Sequence, residues 1–165
     1  MNAKRILKHL LLPSWSVALA FPRRSLQAIE SAVAASEQRH DAELRFAVEA
    51  GLTFAALLRG QTARQRAIEV FSQLRVWDTE HNSGVLIYVQ LVDRKVEILA
   101  DRGIDALVPQ VEWNAICGRL EQSYRKGEFE QGTLAAIEEI TVRLARHFPP
   151  RETNPNELPN RPVIL

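Results

Sequence analysis

The sequence predicts an α/β fold, a three-layer α/β/α sandwich with a small mixed sheet covered by helices, and three observations lead there. Residues 43–49 alternate, with Leu44, Phe46 and Val48 on one side and Glu43, Arg45 and Glu49 on the other, the period-two pattern of a half-buried strand. Residues 85–92, Val85-Leu86-Ile87-Tyr88-Val89-Gln90-Leu91-Val92, are almost continuously apolar, as in a central strand covered on both faces. A helical pattern between them makes a parallel strand-helix-strand unit.

The other elements follow in chain order. Lys4, Arg5 and Lys8 precede the apolar stretch Leu10 to Phe21, and Ala18-Leu19-Ala20 has the small residues of a cleavage site. Residues 1–20 therefore read either as a signal peptide or as an uncleaved docking helix. Pro13, Ser14 and Ser16 interrupt the run, which is too short to span a bilayer, and this favours docking through Leu7, Leu11 and Trp15 onto a partner or a membrane surface. Leu26, Ile29, Ala32 and Val33 then recur at helical spacing, with Ser25 expected to cap the start. After Gly51 the chain is irregular through Arg59, until Thr62 and Gln65 form a capping-box pattern for a helix carrying Ala67, Val70, Phe71 and Leu74 to about Trp77.

Asp93-Arg94 interrupts the apolar pattern, and Val96, Ile98 and Ala100 resume alternation with Lys95, Glu97 and Asp101, which predicts a tight β-hairpin. Trp113, Ile116, Cys117, Leu120 and Tyr124 mark one further helix, and Leu134, Ile137, Thr141, Leu144 and Phe148 mark a long last one. From Pro149 onward five prolines exclude a continued helix, leaving Val163-Ile164-Leu165 able to pack in extended form against the body. The expected organisation is a basic-apolar docking segment over 1–21, one domain over 22–148 and a proline-rich extended tail over 149–165.

With 21 basic and 20 acidic residues and a net charge of +1, the chain has no field to steer it toward nucleic acid, so no nucleic-acid partner is expected. Cys117 is the only cysteine, which excludes an intramolecular disulfide, and its helical, apolar context predicts a buried, inert thiol. His9, His40 and His147 stand apart without a helical metal-ligand pair, and Trp15, Trp77 and Trp113 read as core or docking residues. The expected location is the cytoplasm, with export as the alternative if residues 1–20 are a signal peptide.

The stretches Val76-Trp77-Asp78-Thr79-Glu80-His81-Asn82-Ser83-Gly84-Val85-Leu86-Ile87-Tyr88, Asp93-Arg94-Lys95-Val96-Glu97-Ile98 and Asp101-Arg102-Gly103-Ile104 resemble the central hairpin of the TPM domain family. Phe129-Glu130-Gln131-Gly132 is similar to the start of that family's last helix, and the resemblance runs from about Leu26 to Phe148. It implies one sheet with helices on both sides. Some family members have been called phosphatases, some bind divalent cations, and others act as adaptors of membrane complexes, so the fold does not settle the function. Many members carry an acidic residue just before the Gly-Val-Leu strand, where this chain has His81-Asn82-Ser83-Gly84, and many have a membrane helix or glycine-rich tail in place of the proline-rich one. The resemblance is to a soluble, short form.

A hairpin turning at Asp93-Arg94 brings the residues before its first strand and after its second to one sheet edge. Asp78, Glu80, His81 and Asn82 then face Asp101, Arg102 and Asp105, with Asp41 and Glu43 nearby and Gly84 and Gly103 permitting close backbone approach. Asp78, Glu80, Asp101 and Asp105 are the candidate ligands for a divalent cation, Ca²⁺ tolerating irregular oxygen geometry better than Mg²⁺, and His81, Asn82 and Arg102 are the candidate binding residues beside them. The alternative is that Asp101 and Arg102 pair with loop groups and backbone to fix the strand ends while Glu80 and His81 are solvated. The expected function is a non-enzymatic binding or adaptor module with another protein as partner. The competing expectation is a metal-assisted phosphatase acting on small phosphoesters through the same edge, Arg102 holding the phosphate and a metal-bound water attacking. No phosphate-cradling glycine-rich loop is present to support it.

Overall fold

A computed structural model describes residues 5, 7–9, 15–151 and 155–165, so Leu11 and Pro13 of the expected docking segment lie outside the described residues. Helices α1 (Ser16–Ala20) and α2 (Arg23–Glu37) lead into β1 (Glu43–Glu49), and α3 (Phe54–Leu58) and α4 (Ala63–Gln73) connect it to β2 (Gly84–Gln90). Strand β3 (Lys95–Ala100), α5 (Arg102–Asp105), α6 (Gln110–Arg125) and α7 (Phe129–His147) follow, and the chain closes with β4 (Val163–Ile164).

The sheet order is β3-β2-β1-β4. Strands β1 and β2 are parallel, from Glu43 opposite Gly84 to Glu49 opposite Gln90, and the hairpin pairs Gln90 with Lys95 and Val85 with Ala100. Arg94 takes φ +51° to close the turn, a backbone state uncommon outside glycine, asparagine and aspartate. The capping box is formed, with the Gln65 N–H donating to Thr62 Oγ1 at 3.2 Å and the Thr62 N–H to Gln65 Oε1 at 2.9 Å. Two local expectations are corrected. Helix α2 starts directly after Pro22, a residue that presets a helical φ, and Ser25 lies inside it with its hydroxyl on Glu130 at 2.5 Å. The segment expected to be irregular contains α3, capped by the Thr53 hydroxyl.

The sheet is covered on both faces, unequally. Leu44, Phe46, Val48, Val85, Ile87, Val89, Val96 and Ile98 pack against Ile29 and Val33 of α2, Trp113, Ile116 and Leu120 of α6, and Ile137, Ile140 and Leu144 of α7. Phe21 stands edge-on to Phe46, Tyr124 and Phe129, with ring centroids 5.5, 5.9 and 5.7 Å away. On the other face Ala47, Leu86, Tyr88 and Leu99 meet Ala63, Ala67 and Val70 of α4, together with Leu158 and Val163 from the tail.

That second face overturns the half-buried strand, because all seven residues of β1 are buried. Glu49 accepts from Arg66 Nε at 2.9 Å and from the Tyr88 hydroxyl, and Glu43 accepts the Leu158 N–H at 2.9 Å. Helix α4 and the tail, rather than water, cover the polar side of the alternation. Strand β4 adds in parallel to β1 through Ala47 and Val48, and the Leu165 N–H donates to Val48 O at 3.0 Å.

Side chains take up backbone groups of the edge strand β3 and of β1 where it extends beyond its short pairing with β4. At β3 the Val96 N–H donates to Glu121 at 3.3 Å, Arg64 donates to Ile98 O at 3.0 Å, and the Cys117 thiol meets the Ile98 backbone. At β1 the Leu44 N–H donates to Glu37 Oε1 at 3.0 Å. Of the three tryptophans only Trp113 takes a core place, whereas Trp15 is 61% and Trp77 50% exposed.

Candidate functional site

The edge expected from the hairpin geometry is formed. The Asp101 N–H donates to Gly84 O at 2.8 Å and the Gly103 N–H to Asn82 O at 3.1 Å, so the loop 78–82 and α5 are stitched together by backbone. The two glycines are required sterically. A Cβ on Gly84 would lie 1.8 Å from Val76 O, and one on Gly103 would lie 2.7 Å from the carbonyl oxygens of both His81 and Asn82. Asn82 itself holds φ +53°, and its Oδ1 accepts from Arg102 Nε at 2.8 Å.

Local hydrogen bonds occupy some of the remaining polar groups, while Asp101 Oδ2 is buried with no hydrogen-bond partner among the described residues. Asp101 Oδ1 accepts the Arg102 N–H at 2.8 Å and caps α5, the Thr79 hydroxyl accepts the Ser83 N–H at 2.9 Å, and the Glu80 N–H donates to Glu157 from the tail at 2.9 Å. His81 Nε2 lies 3.8 Å from the Glu80 carboxylate, and Asp78, Glu80, His81 and Asp105 are exposed. Among the described residues no three His, Cys, Asp or Glu side chains are gathered so that they could hold a metal ion. The edge thus unites the two loops, and it leaves Asp78, Glu80, Asp101 and Asp105 without a shared coordination point.

Sequence reasoning missed the tail as part of this edge. Arg151 pairs with Asp41, Glu157 bonds the Glu80 backbone, and Leu158 bonds Glu43. Below them lies a buried charged group: Glu37, Glu43 and Arg45 are 8%, 3% and 6% exposed. Burial pushes the Glu37 carboxyl up to about 8, with Glu43 adding to the rise and the Leu44 N–H, Asn160 and Arg45 opposing it. Burial also raises the Glu43 carboxyl and lowers the Arg45 guanidinium. The alternation of Glu43 and Arg45 was visible in the sequence, but nothing in it signalled that a segment 115 residues away covers them.

Cys117 is not an activated nucleophile, since burial raises its thiol to about 12. His40 is fully buried, with Nε2 2.8 Å from the Ser36 hydroxyl and Nδ1 accepting the Ala42 N–H at 3.2 Å, and burial lowers it to about 4.

The molecule is thus an α/β sandwich on a mixed sheet, with a hairpin-end loop and a short helix locked together at one edge. Residues 18–143 match the TPM domain, and the chain belongs to that family. Among solved structures it is similar to the BA42 protein of the psychrophilic bacterium Bizionia argentinensis, at 28% identity and a TM-score of 0.76 over 86% of this chain and 93% of that one. It also shares the fold of the N-terminal domain of a P. gingivalis protein, at 15% identity and a TM-score of 0.59 over 85% and 95% of the two chains. No curated protein matches it. Among the described residues no helix is long and apolar enough to cross a membrane.

Proposed function

We propose that this TPM domain is a non-enzymatic binding module that engages another protein across the edge built from the loop 78–82 and α5. The observation that carries the proposal is Trp77, which is half exposed immediately before that loop. Leu107 and Val111, just past α5, are exposed as well. Large apolar side chains flanked by charged ones are the composition of a protein contact, with an aromatic residue as its natural anchor. His81, Asn82 and Arg102 supply the polar margin.

Two local contacts favour the binding reading over phosphate hydrolysis. Arg102 is held by Asn82, Asp101 caps its own helix, and the carboxylates expected to hold a cation do not fit one as arranged, so no step is routed through a metal.

The test compares wild type with Trp77→Ser and Asp101→Asn. Immobilised wild-type protein is expected to retain a partner from its native extract that Trp77→Ser loses, and neither protein is expected to hydrolyse p-nitrophenyl phosphate with Ca²⁺, Mg²⁺, Mn²⁺ or Zn²⁺. Turnover that vanishes in Asp101→Asn would overturn the proposal in favour of the phosphatase. A midpoint rise of roughly 5–10 °C with a single ion at about hundredfold excess over its Kd would restore the cation site.

A further inference from the structure

At the opposite end of the sheet, where β2 runs out into the hairpin turn, a cavity of about 580 Å³ lies between α1, the turn and the α6–α7 junction. Its walls are Ala20, Leu91, Val92, Tyr124 and Phe129, and Lys8, Ser16, Asp93 and Arg94 supply the polar groups. The volume falls in the range of small-ligand sites, and the position beyond the carboxyl ends of parallel strands is where open α/β sheets bind ligands.

The charges around it are asymmetric. Asp93 pairs with Arg5 Nε at 2.8 Å and lies 3.1 Å from His9 Nε2, whereas Lys8 and Arg94 are exposed and have no ion-pair partner among the described residues. Ser16 Oγ is buried and has no hydrogen-bond partner among the described residues. The Tyr124 hydroxyl is within 2.7 Å of Thr133 Oγ1, so that side chain offers the cavity its ring. Two cations and a hydroxyl without partners among the described residues thus adjoin an apolar wall. Beside Ser16 and Ala20, Trp15 at the N-cap of α1 and Leu19 within it are 61% and 72% exposed.

We propose that this cavity is a binding site for an anionic amphiphile with a single alkyl chain. The chain lies along Ala20, Leu91, Tyr124 and Phe129, and Lys8, Arg94 and the Ser16 hydroxyl hold the headgroup. The proposal is independent of the protein contact at the other edge.

The test is an NMR titration of the isotope-labelled full chain with dodecanoate below its micelle concentration. Saturable shifts of the Ala20, Leu91, Tyr124 and Phe129 amides are expected. The Lys8→Glu/Arg94→Glu variant, altered only at exposed positions, is expected to bind at least tenfold more weakly. Dodecyltrimethylammonium, with the same chain and opposite charge, provides a control on unmodified protein and is also expected to bind at least tenfold more weakly. No saturable shift, or equal affinity for the two amphiphiles, would overturn the site. Sedimentation with phosphatidylglycerol vesicles in the absence of any response to free dodecanoate would also overturn it, assigning Trp15 and Leu19 to a bilayer surface.

Discussion

Replacing Glu37 with glutamine isolates one buried proton. Glu37 is 8% exposed, and burial raises its carboxyl from 4.5 to about 8, so at neutral pH the folded protein is expected to hold a proton that the unfolded chain releases. The folded-state value lies above the unfolded one, so this stabilisation is complete below pH 4.5 and is lost as pH rises through 8. The limiting slope is about 1.4 kcal/mol per pH unit, and between pH 6.5 and 8 the integrated loss is roughly 1.5 kcal/mol. His40 works in the opposite sense. Lowered by burial from 6.5 to about 4, it contributes stability that is present above 6.5 and lost as pH falls through 4, so the two groups oppose each other between pH 4.5 and 6.5. Above 6.5 the Glu37 slope is the larger. Urea unfolding followed by tryptophan fluorescence at pH 6.5, 7, 7.5 and 8 should show stability of the wild type relative to Glu37→Gln falling by roughly 1.5 kcal/mol. Glutamine keeps the acceptor for the Leu44 N–H, so the edge should survive the change. Parallel stability curves for the two proteins would refute a protonated Glu37.

Two further changes test how the edges are held. Gly84→Ala places a Cβ 1.8 Å from Val76 O, a backbone atom that cannot move alone, and is expected to cost about 3 kcal/mol, or roughly 6–12 °C in calorimetric Tm; an unchanged Tm would show that the loop yields freely. Leu158→Ala is expected to lower urea stability by about 2–3 kcal/mol and to speed hydrogen exchange along β1, since Leu158 is buried against that face; wild-type stability would show that the tail lies outside the cooperative unit.

Local pattern made much of this fold legible. Period-two alternation located β1 to the residue, the Thr62 and Gln65 pair announced α4, and the single polar interruption at Asp93-Arg94 placed the hairpin turn. From the turn alone followed the meeting of the 78–82 loop with 101–105, and the glycines at 84 and 103 are where backbone segments touch. The candidate site was legible as a neighbourhood only. Which way Asp78, Glu80, Asp101 and Asp105 present their oxygens depends on how Asn82 and the α5 cap fix the backbone, and residue type does not encode that.

The sequence by itself determined the periods, the caps and the order of the elements, because these arise from interactions between residues a few positions apart. Tertiary structure alone decided that the polar side of β1 is buried, that Glu37 is shut away from water, and that Leu158 of the tail lies over Glu43. Those outcomes rest on contacts such as Leu158 with Glu43, 115 residues apart, which no local pattern carries. A carboxylate's charge state follows from how completely such distant segments exclude water from it.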